Sequence, residues 1–271
     1  IAVLTSEQVE NWSYFINKVI AEKKLTILSA YLTRVHESVH GTHMPRILTE
    51  LAPRPPVEQQ LVSRDEEKTS ILSVLEESQK LVLVNGLGGV GKSTVCKELF
   101  YFLYRNSSCP LAWVTYNGKS LSDDFINQFY YPEQLLERKE RLAYFLQTEI
   151  SENAVIFVDN LNVRDIDDPF IPVLERTKCA VICTSRVTDY KYFVTIPVSL
   201  FKTDKCIQLF KIYANIPLET TCFDEVISQI VRKVAEHTLT IEILGKLASA
   251  ENLTPADILA QLEEKGINLE G

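Results

Sequence analysis

The chain has 271 residues, room for one large domain or two, and its 46% apolar and 24% charged residues exclude disorder, a collagen-like rod or a coiled coil as a description of the whole. A net charge of −8, from 28 basic and 36 acidic residues, argues against a surface that coats nucleic acid or anionic membrane. No apolar run reaches the roughly 18 residues of a membrane span, and the opening Ile-Ala-Val-Leu-Thr-Ser-Glu lacks the basic start of a signal peptide, so a cytoplasmic protein is expected.

Residues 6–50 carry apolar side chains at helical spacing, first Trp12, Phe15, Ile16, Val19 and Ile20, then Leu25, Leu28, Leu32 and Val35. His36, His40 and His43 cluster there, as solvated histidines of a helix face or as metal ligands. Met44 is the only methionine, which suggests that the chain starts inside a longer protein. Pro53-Arg54-Pro55-Pro56 interrupts the helical pattern and is expected to be a linker. Ser63-Arg64-Asp65-Glu66 then has the form of a capping box opening a helix with Ile71, Leu72 and Leu75 on one face.

From 81 to about 196, short apolar runs alternate with helical stretches: 81–84, 111–114, 154–158, 180–182 and 192–196. Continuous apolar runs separated by helices indicate a parallel sheet covered on both faces. Between them, Glu133, Glu137, Arg138, Lys139, Glu140 and Arg141 read as a solvated helix face. Beyond 200 the periodicity is helical over 203–213, 223–235, 239–248 and 254–264, the last opened by a Thr254 cap with Pro255 at the first helical position. The expected layout is a helical arm and Pro-rich linker over 1–57, an α/β domain over 58–200 and a helical bundle over 201–271.

Six cysteines, at 96, 109, 179, 183, 206 and 222, form no Cys-x-x-Cys pair. They read as reduced, mostly buried thiols; a zinc site or a disulfide frame is the alternative.

The decisive segment is Gly86-Leu87-Gly88-Gly89-Val90-Gly91-Lys92-Ser93-Thr94, which matches G-x-x-x-x-G-K-S/T between an expected strand and an expected helix. Glycines let backbone N–H groups converge on phosphate oxygens, and the helix N-terminus adds positive potential at the same point. Lys92 is expected on the β- and γ-phosphates and the Ser93 hydroxyl on Mg²⁺. Asp159 ends the apolar strand Val155-Ile156-Phe157-Val158, where a Mg²⁺-holding carboxylate belongs. The next residue is Asn160, an amide that cannot take a proton at neutral pH, so general-base catalysis from this position is not expected. The strand Val181-Ile182-Cys183 leads into Thr184-Ser185-Arg186, whose Arg186 can meet a γ-phosphate by charge-assisted hydrogen bonding. Lys92, Asp159 and Arg186 are therefore the expected phosphate-handling side chains. Ser93 and Asp159 are the expected metal ligands.

In this order the P-loop, Trp113-Val114, the Walker-B-like strand, Thr-Ser-Arg and Val198-Ser199-Leu200 before helix 203–213 resemble NB-ARC domains, the switch ATPases of the STAND class. These occur in plant resistance proteins, apoptotic scaffolds and bacterial signalling or defence proteins, and this chain is similar to a bacterial-type variant that stops before the winged helix. The resemblance spans about 60–250. It implies a five-stranded P-loop NTPase sheet in which the strand leading to Arg186 lies between the P-loop and Asp159 strands. Val62-Ser63-Arg64-Asp65 looks like the family's leader motif, which implies Val62 and Arg64 at the adenine. It further implies Thr94 and Val95 near the α-phosphate, with Gly86, Gly88, Gly89, Val90, Gly91, Lys92 and Ser93 in the cradle and Arg186 as γ-phosphate sensor. The family's Gly-Leu-Pro-Leu-Ala segment corresponds to Glu236-His237-Thr238-Leu239-Thr240, so Thr238 stands where that family packs a proline on adenine. His237 reads as a pocket-edge histidine.

The resemblance implies an adenine-nucleotide switch with ATP/ADP and Mg²⁺ as cofactors, ADP-bound at rest, ATP-competent for assembly and at most a weak ATPase. Its implied partners are the effector and sensor domains of the full-length protein and further copies of itself on activation, with this piece a monomer, no membrane and no direct nucleic acid. Two other readings stand beside it: an AAA-type hydrolysing ATPase, or the nucleotide module of a transcription regulator.

Overall fold

A computed structural model describes residues 51–57, 62–77, 80–129, 138–164 and 166–265. The expected arm over 6–50, with His36, His40 and His43, and Glu133 and Glu137 lie outside the described residues. In chain order the elements are α1 (Asp65–Glu76), β1 (Leu81–Asn85), α2 (Lys92–Asn106), β2 (Leu111–Thr115), α3 (Leu121–Gln128), α4 (Arg138–Tyr144) continued by a π-helical turn (Phe145–Glu149), β3 (Val155–Asp159), α5 (Ile171–Glu175), β4 (Ala180–Ser185), β5 (Val194–Pro197), α6 (Thr203–Tyr213), α7 (Asp224–Lys233), α8 (Thr238–Glu251) and α9 (Pro255–Lys265).

The five strands form one parallel sheet in the order β2-β3-β4-β1-β5, so β4 lies between the P-loop strand and the Asp159 strand. Every apolar run named above forms a strand, though β5 starts at Val194, two residues inside its run. Successive side chains leave a strand on opposite faces, and the two faces make separate cores. Val82, Val84, Trp113, Phe157 and Ile182 pack with Ile71, Leu99 and Phe100 of α1 and α2. Leu83, Val114, Ile156, Val158 and Val181 pack with Phe125, Leu142, Leu146 and Leu174 on the opposite face. Trp113 and Phe157 stack at 5.7 Å between ring centroids and Phe100 meets Phe157 edge-on at 5.5 Å, which locks α2 to the centre of the sheet. The register places Val84 beside Thr184, and Thr115 beside Asp159, so the polar residues that end the strands gather along one sheet edge.

The capping box expected at residues 63–66 does not form. No side chain caps α1; instead the Ser63 hydroxyl donates to Asp65 at 2.7 Å and accepts from Lys68, which also pairs with Glu98. The better-paired use of that hydroxyl is a charged network between α1 and α2. The Thr254 cap does form: its Oγ1 accepts from Asp257 N at 3.2 Å, while Thr254 N donates back to Asp257 Oδ2 at 2.8 Å. Residues 53–56, expected as a linker, lie against the α/β domain: Ala52 is fully buried, Leu51 N donates to Leu111 O, and the Tyr101 hydroxyl donates to Pro55 O. Of the charge-rich stretch, Lys139 pairs with Asp123 and Arg141 with Glu149, both near solvent.

Helices α6–α9 form a third core around Phe210, Ile227, Ile230, Val231 and Ile241, joined by Val62 and Phe201 from the segments that enter the bundle. All six cysteines are free, and Cys96, Cys179, Cys183 and Cys206 are buried. Burial pushes the Cys179 thiol up to about 11 and Cys206 up to about 12, so both stay protonated and unreactive. No described helix is long and apolar enough to cross a membrane.

Candidate functional site

The turn Gly86–Gly91 carries the chain from β1 into α2. It is crowded from both sides. A Cβ on Gly88 would stand 3.2 Å from Arg186 Cζ, and one on Gly89, whose φ is +71°, would stand 2.7 Å from Leu239 Cβ. The loop thus meets the sheet edge on one side and the bundle on the other. Lys92 Nζ donates to the carbonyls of Gly86 and Leu87, each at 2.8 Å, folded back along the loop. Burial, and then the Arg186 guanidinium, hold the Lys92 ammonium below the ordinary lysine range; Asp159 opposes them.

Asp159 leaves the end of β3 beside this loop. Its Oδ1 accepts from Ser93 Oγ at 2.7 Å and from Thr184 Oγ1 at 2.6 Å, and Thr184 Oγ1 in turn accepts from Asn160 N at 2.8 Å. A carboxylate and a hydroxyl in direct contact are hard oxygen donors of the kind that hold Mg²⁺, which takes one or two protein ligands and completes its shell with water and phosphate. The donor set therefore fits the ion expected from the sequence. Among the described residues no group of three or more His, Cys, Asp or Glu forms a closed metal cage.

Asn160 adopts φ +64°, a conformation asparagine tolerates better than most residues, as the chain turns off the sheet. Its Oδ1 accepts from Asn162 Nδ2 at 2.5 Å, and Asn162 Oδ1 accepts from Arg186 N at 2.8 Å. Two amides thereby tie the exit of β3 to the exit of β4 and fix where Arg186 leaves the sheet. Arg186 is exposed at the cleft, with its guanidinium beside Gly88.

The opposite wall comes from the bundle and the segment before α1. Arg64, 3% exposed, spends its guanidinium on Glu67, Ser199 O and Val90 O, the last at 2.7 Å, and lies 3.7 Å over the Phe201 ring. It clamps the leader segment, the P-loop and the entry to the bundle together. At the start of α8, Leu239 N donates to Gly89 O at 3.1 Å. His237 Nδ1 accepts from Thr240 N, capping the helix, which leaves the ring proton on Nε2 to donate to Gly88 O at 2.9 Å. The bundle is thus hydrogen-bonded to the phosphate loop itself.

A cleft of about 240 Å³ runs between these walls. Of the residues expected at the site, Val62, Arg64, Gly89, Gly91, Lys92, Ser93, Thr94, Arg186 and Thr238 line it, and Asp159 reaches it through Ser93. Gly86 and Gly88 shape the loop, their carbonyls taken by Lys92 and His237. The side chains of Val90 and Val95 are buried in the core beneath, so any ligand contact from these two runs through their backbone. The cleft also brings in Asn162, Phe201, Tyr213 and Glu242, which carried no motif, together with Thr184 of the Thr-Ser-Arg motif and Leu239 of the segment at 236–240. For Thr184 and Asn162 a signal existed, a polar residue at or just past a strand exit. Phe201, Tyr213 and Glu242 had none.

No protein-family model matches the chain. Among solved structures the chain is similar to Drosophila ORC, in a structure bound to DNA, at 17% identity and a TM-score of 0.56, over 79% of this chain and 63% of that one. It is similar to a proline-to-glycine mutant of RuvB from Thermotoga maritima at 12% identity and 0.50, over 80% of this chain and 75% of that one. A signal transduction ATPase with numerous domains and a tetratricopeptide repeat sensor, from Pyrococcus horikoshii, matches at 13% identity and 0.44, over 70% of this chain and 30% of that one. The fold is that of a P-loop NTPase. The chain spans less than two thirds of the ORC chain and of the Pyrococcus protein.

Proposed function

We propose that the chain is the adenine-nucleotide-binding switch module of a signalling or defence ATPase of the NB-ARC, STAND type, ADP-bound at rest and taking ATP to permit assembly. The observation that carries the reading is the pair of hydrogen bonds from α8 to the P-loop, Leu239 N to Gly89 O and His237 Nε2 to Gly88 O. A loop that must arrange itself around phosphates, and is held by another subdomain, links nucleotide state to the position of that subdomain.

In this reading Gly86–Thr94 present backbone N–H groups to the phosphates and Lys92 supplies the positive charge, leaving its loop carbonyls to do so. Ser93 and Asp159 hold Mg²⁺, which when bound neutralises phosphate charge. Arg186, fixed by Asn162, meets the γ-phosphate and so distinguishes ATP from ADP. A ligand shifts a two-state equilibrium only by its differential affinity for the two states. The residue after Asp159 is an amide, and Glu242 is the only carboxylate among the described residues that line the cleft, on the bundle wall. Hydrolysis is accordingly slow, well below about 10 s⁻¹. This same feature weighs against the AAA-type reading, which asks for a carboxylate after Asp159. The arm and linker over 1–57, the nucleotide domain over 58–200 and the bundle over 201–271 belong, on this view, to a cytoplasmic protein whose effector and sensor domains lie elsewhere.

A thermal and calorimetric titration with ADP and ATP in the presence of Mg²⁺ tests it. At ligand about 100-fold above its dissociation constant, linkage gives about 2.7 kcal/mol of stabilisation. No stabilisation by either nucleotide, in protein freed of carried-over nucleotide, overturns the reading.

A further inference from the structure

Two polar groups on the bundle wall of the cleft are unused by phosphate or metal binding. Thr238 is the first residue of α8 and Glu242 lies four residues on, so both side chains share one face of the helix, and both residues line the cleft. Thr238 is only 7% exposed, and its hydroxyl makes no hydrogen bond among the described residues. A buried hydroxyl without a partner is unfavourable, which marks it as the complement of something that enters the cleft. Glu242 pairs with Lys246, whose side chain is 58% exposed, so the pair is weak and occupies one of the several acceptor positions of the carboxylate.

We propose that Glu242 and Thr238 hold the ribose of the bound nucleotide, the carboxylate accepting from the sugar hydroxyls, and that the site thereby prefers ribonucleotides to deoxyribonucleotides. The inference rests on the nucleotide reading above. A carboxylate repels phosphate and so belongs to an uncharged part of the ligand. The start of α8 is fixed at the phosphate loop by Leu239 N on Gly89 O. Glu242 stands one helical turn, about 6 Å, further from that anchor than Thr238, so the pair lies on the bundle wall beside the phosphate loop and not within it. The buried Val62, Phe201 and Leu209 line the same cleft and offer an apolar surface suited to a base. Pairing an acidic side chain with a ribose hydroxyl is the same chemistry that dinucleotide-binding folds use.

Calorimetry of ADP against 2′-deoxy-ADP, 3′-deoxy-ADP and inosine diphosphate decides it, with Mg²⁺ present, on the chain and on its Glu242→Ala, Glu242→Gln and Thr238→Val variants. Removal of a sugar hydroxyl is expected to weaken binding about tenfold or more, as for a hydrogen bond to a charged group. Glu242→Ala should bind ADP as weakly as the deoxy compound, with the deoxy affinity unchanged. Glu242→Gln, which keeps shape and an acceptor without the charge, should fall between, a gradation that a folding defect would not give. Equal binding of ADP and both deoxy analogues by the wild type overturns the inference and leaves the nucleotide reading intact. So does a preference that survives in both Glu242→Ala and Thr238→Val. If Glu242→Ala alters only the ratio of ADP to inosine diphosphate, the carboxylate reads the base amino group, and the ribose assignment falls. Failure of every nucleotide to bind removes both readings together.

Discussion

The two walls of the cleft are built on different principles. The sheet wall is a set of polar residues at strand and loop ends that satisfy one another: Ser93 and Thr184 on Asp159, Asn162 on Asn160, Arg186 N on Asn162. The bundle wall is mostly apolar packing, with the polar Thr238 hydroxyl left unpaired and the P-loop fastened by two hydrogen bonds. One wall is organised for chemistry that every nucleotide shares. On the reading proposed above, the other recognises a particular ligand and moves with it.

The largest effect should come from the sheet side. Lys92→Ala is expected to weaken ADP and ATP alike by about a thousandfold, the loss of two charge-assisted hydrogen bonds at about 2 kcal/mol each. Stability without nucleotide should change little, because Lys92 is held below its ordinary pKa by burial and by Arg186. Calorimetry and denaturant unfolding read the two quantities separately. A variant that binds normally would mean the loop is a structural turn.

On the bundle side, Gly89→Ala probes how tightly the walls are joined. The substitution puts a Cβ into a left-handed backbone position and 2.7 Å from Leu239 Cβ. Unfavourable backbone and overpacking together should destabilise the chain by about 2–4 kcal/mol. Gly118 is the control, also left-handed at φ +86° but with nothing within 4 Å of a Cβ, so Gly118→Ala should give only the backbone part, about 1 kcal/mol. Equal losses in urea unfolding would show that the bundle yields easily at this contact.

Arg186→Ala sharpens the comparison from the exposed end of the sheet wall. A non-hydrolysable ATP analogue should bind about 1.5–3 kcal/mol more weakly while ADP changes little, the scale of a hydrogen bond to a charged group. Equal losses for both nucleotides would make Arg186 a general electrostatic contributor.

The same division explains what could be read from the sequence. Phosphate geometry dictates residue types at fixed spacing, so Gly86–Thr94 and Asp159 stand out, and the apolar runs around them give the sheet. Thr184 belongs to the Thr-Ser-Arg motif, yet its contact with Asp159 depends on β4 lying next to β3, a tertiary fact. Phe201, Tyr213 and Glu242 come from three separate places that meet only when the bundle packs, and many residue types would serve there. Ser63 shows the reverse case, a local pattern overridden because Lys68 and Asp65 offered its hydroxyl stronger partners than a helix end. Arg64 was expected at the base, and its guanidinium is committed to Val90 O, Ser199 O and Glu67, contacts between segments up to 135 residues apart in sequence.

The smallest expected effect concerns the joint between the walls. His237 performs two tasks with one ring: Nδ1 caps α8 at Thr240 N, and Nε2 donates to Gly88 O. His237→Ala removes both. Loss of a helix cap destabilises by about 1 kcal/mol, and the P-loop contact, one neutral hydrogen bond, is of the same order. His237→Asn separates them, because a shorter amide can still cap α8 and cannot reach across to Gly88. If the joint serves only stability, the two variants should differ by the cap, about 1 kcal/mol, and nucleotide affinity should not move. If it holds the loop against rearrangement, both variants should bind ATP several-fold more tightly despite being less stable, since the contact resists the loop's adjustment to phosphate. Hydrogen exchange at Gly88–Gly91, measured with and without ADP, locates the change in the loop and not in α8. Protection that falls at the loop in His237→Asn while α8 stays protected would assign the coupling to this one hydrogen bond.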